Sequence, residues 1–153
     1  LFDEGLLPAD AVEQAVMNVA RYNIYGLRDA MLVGDVPRLV RMMGGLKAEG
    51  EALPLVLWAI GEEIRTLARV SQAQATGQDL TSVLRSQRVF GTHESLARQA
   101  LSRVAARNWP AAVQHAHEVD RLIKGLPVAG RLQDPWEEMT RLAMRVAAAG
   151  ARA

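Results

Sequence analysis

Apolar residues recur at steps of three and four along almost the whole sequence. This spacing collects them on one side of an α-helix, whereas a half-buried strand would need alternation at every second residue. The clearest example runs through Leu53, Leu57, Ile60, Ile64 and Leu67. No strand-like alternation continues for more than a few residues, so the pattern predicts an all-α chain.

Glycine, proline and aspartate residues divide this pattern into separate predicted helices. Asp35 and Asp79 stand where N-caps are expected, and Gly34, Gly50 and Gly77 stand where helices should end. The predicted ranges are 8–19, 24–33, 36–49, 54–75, 80–87, 93–106, 109–124 and 135–149. Short connections favour antiparallel neighbours, so we expect a helical bundle of about six or seven helices preceded by one short helix.

Composition limits the functions that the chain can have. Half of its residues are hydrophobic, none is cysteine, and the formal net charge is +1. An apolar core is therefore available, while disulfides, thiolate zinc sites and cysteine nucleophiles are excluded. No apolar run is long enough to cross a bilayer and no leader opens the sequence, so we expect a cytoplasmic protein without membrane contact. Because it begins at Leu1 in mid-pattern, without an initiator methionine, we also expect a piece of a longer chain.

The sequence offers no arrangement of residues suited to catalysis or to a cofactor. No glycine-rich phosphate loop is present, so a Walker-type ATP site is not expected. His115 and His117 point about 200° apart on one predicted helix and cannot share a metal ion. With His93, they are expected to be surface or boundary histidines. Glu62 and Glu63 diverge by about 100° and are expected on a solvated face paired with arginines. We therefore predict no catalytic residue, no cofactor and no metal site.

Large apolar side chains give a first kind of candidate functional surface. The fourth predicted helix carries Leu55, Val56 and Trp58 in addition to its main stripe. It is therefore apolar nearly all round, as expected of a buried helix or of one with a second protein partner. Aromatic residues dominate interface energetics, and burial in the core is the alternative for each tryptophan. The candidate interface residues are Trp58, Trp109, Trp136 and Leu55.

Arginine gives a second candidate surface, since the chain has sixteen arginines and only two lysines. Arg85 and Arg88 flank a short predicted helix, and Arg98, Arg103 and Arg107 follow along the next. Contacts from these residues to phosphate would make the chain a helical nucleic-acid-binding domain. The interleaved acidic residues and the small net charge favour solvent exposure or ion pairs instead.

Short motifs follow one another in a fixed order along the chain. Residues 21–35 read RYNIYGLRDAMLVGD, residues 45–58 read GLKAEGEALPLVLW, and residues 84–90 read LRSQRVF. They resemble the stretches aryxxfxLxDAllxGD, GLrxEGexPxllLW and R-V-[WF] of the delta subunit of bacterial DNA polymerase III. Residues 123–125 and 134–136 are similar to the ends of its last two helices, and residues 12–16 are similar to the closing helix of its lid domain.

This resemblance implies the collar domain of a clamp loader. It divides the chain into a lid-domain remnant over residues 1–20, a helical collar or oligomerisation domain over 21–149, and a flexible tail over 150–153. In that family the collars of five subunits close a ring that supports loading of the sliding clamp onto primed DNA. The implied partners are the delta prime and gamma/tau subunits. Delta does not hydrolyse ATP, and its contact with the clamp is expected only through an N-terminal domain outside this sequence.

Overall fold

The structure, a computed structural model, describes residues 9–150 and the side chains of all of these except residue 10 and residues 13–22. This part of the chain contains seven α-helices and no strand, so the predicted all-α fold is confirmed. The helices are α1 (Ala9–Val33), α2 (Val36–Ala48), α3 (Leu53–Ala75), α4 (Leu80–Ser86), α5 (Gly91–Arg103), α6 (Asn108–Ile123) and α7 (Pro135–Ala147).

Helix α1 joins two segments that the sequence pattern separates. The prediction of distinct helices over 8–19 and 24–33 is wrong, because the backbone remains helical from Ala9 to Val33. Between these segments the sequence has no glycine or proline, and a change of apolar pattern alone does not break the i to i−4 hydrogen bonds. The proposed boundary between residues 20 and 21 lies within this continuous helix.

Aspartate side chains fix the starts of three helices. The carboxylates of Asp35 and Asp79 accept hydrogen bonds from the amide three residues on, at 3.2 and 3.0 Å, which confirms both predicted N-caps. Asp134, which the sequence pattern left unassigned, accepts from the amides of Trp136 and Glu137 at 2.8 and 3.2 Å. These caps set where α2, α4 and α7 begin and therefore how the helices meet.

Helix α3 lies at the centre of the core. It packs chiefly on α6 and also contacts α1, α4, α5 and α7, while α1 packs on α2, α5 and α7. Of its predicted stripe, Ile60, Ile64 and Leu67 are fully buried, whereas Leu53 and Leu57 are partly buried. The face opposite this stripe remains exposed and carries Leu55 and Trp58.

Arg103, the last residue of α5, ties together the ends of two other helices. Its Nε donates to the carbonyl of Ala149 at 2.8 Å, and its Nη1 donates to that of Leu32 at 3.1 Å. Its Nη2 donates to the carbonyls of Val146 at 3.0 Å and of Met31 at 3.5 Å. The positive charge thus meets the C-terminal ends of α1 and α7, where free carbonyls and the helix dipole favour a cation. Burial lowers the pKa of Arg103, but a guanidinium stays charged in proteins.

Candidate protein interface

Three large side chains stand side by side on the surface between α1 and α3. Tyr25 is 43% exposed, Leu55 is 37% exposed and Trp58 is 52% exposed. With Ile24 they line a shallow hollow of about 350 Å³. A tryptophan that leaves half of its surface in water, next to a second aromatic ring, is typical of a protein contact site. We refer to Tyr25, Leu55 and Trp58 as the Trp58 patch.

The helix geometry explains why this patch cannot join the core. Leu55 and Trp58 are three residues apart and share one face of α3, opposite the face that buries Ile60 and Ile64. On α1, the guanidinium of Arg28 lies 4.9 Å from the centre of the Tyr25 ring. This cation–π contact covers one face of the ring and leaves its other surfaces accessible. The patch therefore lies on two helices that pack on each other, α1 and α3.

A second hollow adjoins the patch and corrects one prediction. Glu62 does lie on a solvated face, where Arg65 donates to it at 3.2 Å. Glu63 does not, because it is only 5% exposed and both of its carboxylate oxygens lie 2.7 Å from Nε2 of His93. The two glutamates diverge around the helix, so one faces water and the other faces α5. Tyr25 and Trp58 line this hollow together with the Glu63–His93 pair.

The three tryptophans predicted as interface anchors occupy different environments. Trp58 belongs to the exposed patch. Trp109 is fully buried in the core, so it leaves no surface for a partner, and its indole N–H has no hydrogen-bond acceptor among the described residues. Trp136, at the start of α7, is partly buried and packs against the core. The structure therefore brings together only Trp58 and Leu55 of the four candidates.

The arginines predicted to contact phosphate also occupy different environments. Arg98 donates to Glu94 at 2.9 Å and to Thr81 at 2.8 Å, so its guanidinium holds α5 to α4. Arg103 is engaged by backbone carbonyls, as described above. Arg85 and Arg88 are exposed at the end of α4, and Arg88 has a positive φ of 61°. The side chains predicted to face phosphate therefore do not form one continuous basic surface.

A buried charged network between α6 and α7 corrects the prediction for His115. The side chains of His115 and Glu138 are both fully buried, and Nε2 of the histidine lies 2.8 Å from Oε1 of the glutamate. Nε of Arg145 donates to Nδ1 at 3.1 Å, so Nδ1 is an acceptor and the imidazole is neutral with its proton on Nε2. Burial is the main cause that lowers the pKa of His115.

The same carboxylate also fixes the loop before α7. Oε2 of Glu138 accepts from the backbone amide of Leu132 at 3.2 Å and from Arg141 at 3.2 Å. Arg131 bridges Glu118, at 2.6 Å, and Glu138, at 3.7 Å. No local sequence signal indicates this network, because its partners come from two helices and a loop. Its place inside the domain assigns it a structural role.

The described residues within 9–150 show neither a metal-ligand cluster nor a membrane-spanning helix. The described side chains form no cluster of three or more metal-ligating groups. No described helix is long and apolar enough to span a membrane.

The fold and the patch together define a small helical bundle that presents aromatic side chains to solvent. No family model matches the chain. It is similar to DNA polymerase III subunit delta of Escherichia coli (strain K12), with 26% identity over 114 residues. The match covers 74% of this chain and 33% of that protein, so the chain spans about a third of the relative's length. This similarity agrees with the resemblance that the sequence motifs indicate.

Proposed function

We propose that this chain is a non-catalytic assembly domain of a clamp loader of the DNA polymerase III type. In this proposal residues 1–20 belong to a lid domain and residues 21–149 form a collar domain, with α1 running through both. The collar packs against the corresponding domains of neighbouring subunits, of the delta prime and gamma/tau kinds. The similarity to a delta subunit and the all-α fold support this function.

The Trp58 patch is the observation that carries the proposal. A large aromatic residue that is half exposed on a rigid helix loses little conformational entropy when a partner covers it. It therefore suits a binding hot spot, which is a residue whose truncation to alanine costs about 2 kcal/mol or more of binding free energy. Leu55 and Tyr25 surround it and would exclude water from the contact.

The nucleic-acid alternative has less support. Of the arginines it requires, Arg98 and Arg103 are bound within the domain. Arg85 and Arg88 are exposed at the end of one short helix, and Arg107 is exposed at the start of α6. Phosphate contacts from so few residues would give weak binding that falls with salt. A titration of fluorescent primed DNA at low and moderate salt separates the two functions.

The test is assembly of the full-length protein with its partner subunits. Trp58→Ala should weaken the complex about 30-fold or more, as a hot-spot loss of about 2 kcal/mol requires. Phe90→Ala is the matched control, because Phe90 is 58% exposed and lies outside the patch. Pull-down and size-exclusion chromatography would measure both variants beside the unchanged protein. Equal assembly of the Trp58→Ala variant would contradict the proposal.

A further inference from the structure

A separate groove lies between the C-terminal half of α3 and the start of α6. It encloses about 710 Å³ and is open to solvent along its length. Ala68, Ala73 and Val113 form an apolar floor, and each is only partly covered by the domain itself. The rim carries Arg65, Arg69 and several amide side chains. The groove therefore combines an apolar base with a polar edge.

The charged side chains on this rim, those of Arg65 and Arg69, are both positive. Among the described residues, no aspartate or glutamate lines the groove. The carboxylate of Glu62, just outside the lining, lies 3.2 Å from Arg65 and 3.9 Å from Arg69. Arg69 also donates to the neutral side chains of Gln87 at 3.1 Å and Thr66 at 3.3 Å. Two guanidinium groups share the one carboxylate, so one positive charge remains in excess. At the α6 end, Glu118 is held by Arg131 at 2.6 Å, and this contact lowers the pKa of its carboxyl group.

The backbone around the groove determines the conformation of a partner. Helices α3 and α6 satisfy their own amides and carbonyls, and the described residues offer no strand edge. A segment that covers the apolar floor must therefore satisfy its own backbone hydrogen bonds, which an α-helix does. A third helix can lay its side chains between those of two neighbouring helices. The rim would then face the polar flanks of that helix.

We propose that the α3–α6 groove binds an acidic amphipathic helix of a partner protein. Apolar residues on one face of that helix occupy the floor, and carboxylates along its flanks pair with Arg65 and Arg69. This inference goes beyond the proposed function, because it concerns a different surface and specifies the chemistry of its occupant. The Trp58 patch lies toward the N-terminal end of α3 and is not part of the groove.

The probe is a synthetic helical peptide with leucines on one face and glutamates on the other. Its counterpart has lysine at every glutamate position. Titration into the ¹⁵N-labelled chain at low salt should give saturable shifts at the amides of Ala68, Gln72, Ala73 and Val113. The acidic peptide should bind at least about tenfold more tightly than the lysine peptide, and added salt should reduce that difference.

Charge reversal tests which arginines bind the peptide. The double variant Arg65→Glu/Arg69→Glu should weaken binding of the acidic peptide by about tenfold or more. Arg41→Glu/Lys47→Glu changes the net charge equally at two exposed positions of α2, which does not line the groove, and should bind as the unchanged chain does. Circular dichroism would verify that both variants are folded.

Several outcomes would overturn this inference. They are equal binding of the lysine peptide, shifts outside the groove, no saturation at millimolar peptide, and self-association of the chain through the same arginines. The last would make a second copy the occupant. Trp58→Ala should leave peptide binding unchanged, so failure here and failure of the proposed function are distinguishable.

Discussion

Replacement of Arg103 by methionine should destabilise the fold more than the loss of an ordinary surface charge. Methionine keeps most of the aliphatic packing and removes the guanidinium. Three of the hydrogen bonds to carbonyls are 3.1 Å or shorter, and together they join the ends of α1 and α7. A hydrogen bond from a charged group contributes about 1.5–3 kcal/mol, and a cation at a helix end adds about 0.3–1 kcal/mol. Because the freed carbonyls regain water, we expect a loss of about 3 kcal/mol.

Urea denaturation followed by far-UV circular dichroism measures this loss. The slope with denaturant should stay constant, so the shift in midpoint reports the change in the free energy of unfolding. Arg107→Met is the matched control, because Arg107 is exposed, and it should change stability by less than about 0.5 kcal/mol. Arg103→Lys should fall between the two, since an ammonium lacks the fork of donors that reaches both helices. A loss below about 1 kcal/mol in Arg103→Met would refute this role.

Three further substitutions test other parts of the structure. Because the pKa of His115 is lowered in the folded chain, the unfolded chain binds a proton at this residue more readily than the folded chain does. The free energy of unfolding should therefore fall as the pH drops below 6.5, the ordinary pKa of histidine. His115→Gln should flatten this slope in urea titrations at several pH values. Gly34→Ala should cost about 1–3 kcal/mol in thermal melts, because φ is +82° and the new Cβ would lie 3.0 Å from the Ala147 carbonyl. Asp134→Ala should cost about 1 kcal/mol through loss of its cap, whereas Asp120→Ala, at an exposed ion pair, should cost less than about 0.5 kcal/mol.

The fold class was predictable because the information is local. A repeat of apolar residues at three and four positions identifies a helix face, and Asp35 and Asp79 mark helix starts through contacts three residues away. The continuity of α1 was not predictable in the same way, because a pattern can change within one helix. The hydrogen bond from Nη1 of Arg103 to the Leu32 carbonyl joins two residues that are 71 positions apart in the sequence. No local pattern reports such a contact.

The candidate site was predictable only in part. The sequence identified Trp58 and Leu55 as surplus apolar residues on one helix, and the structure leaves both exposed. Tyr25 was missed because its place beside them depends on the packing of α1 against α3. Helical spacing alone does not distinguish buried Trp109 from exposed Trp58, since both residues follow it. The Glu63–His93 and His115–Glu138 pairs were missed for the same reason.

The proposed assembly of this domain with clamp-loader subunits can be measured directly. The chain would be mixed with delta prime and gamma/tau subunits from the same organism, and the masses of the complexes would be determined by native mass spectrometry. We expect a complex that contains this chain. A folded chain that remained separate from these subunits at micromolar concentrations would contradict the proposed assembly.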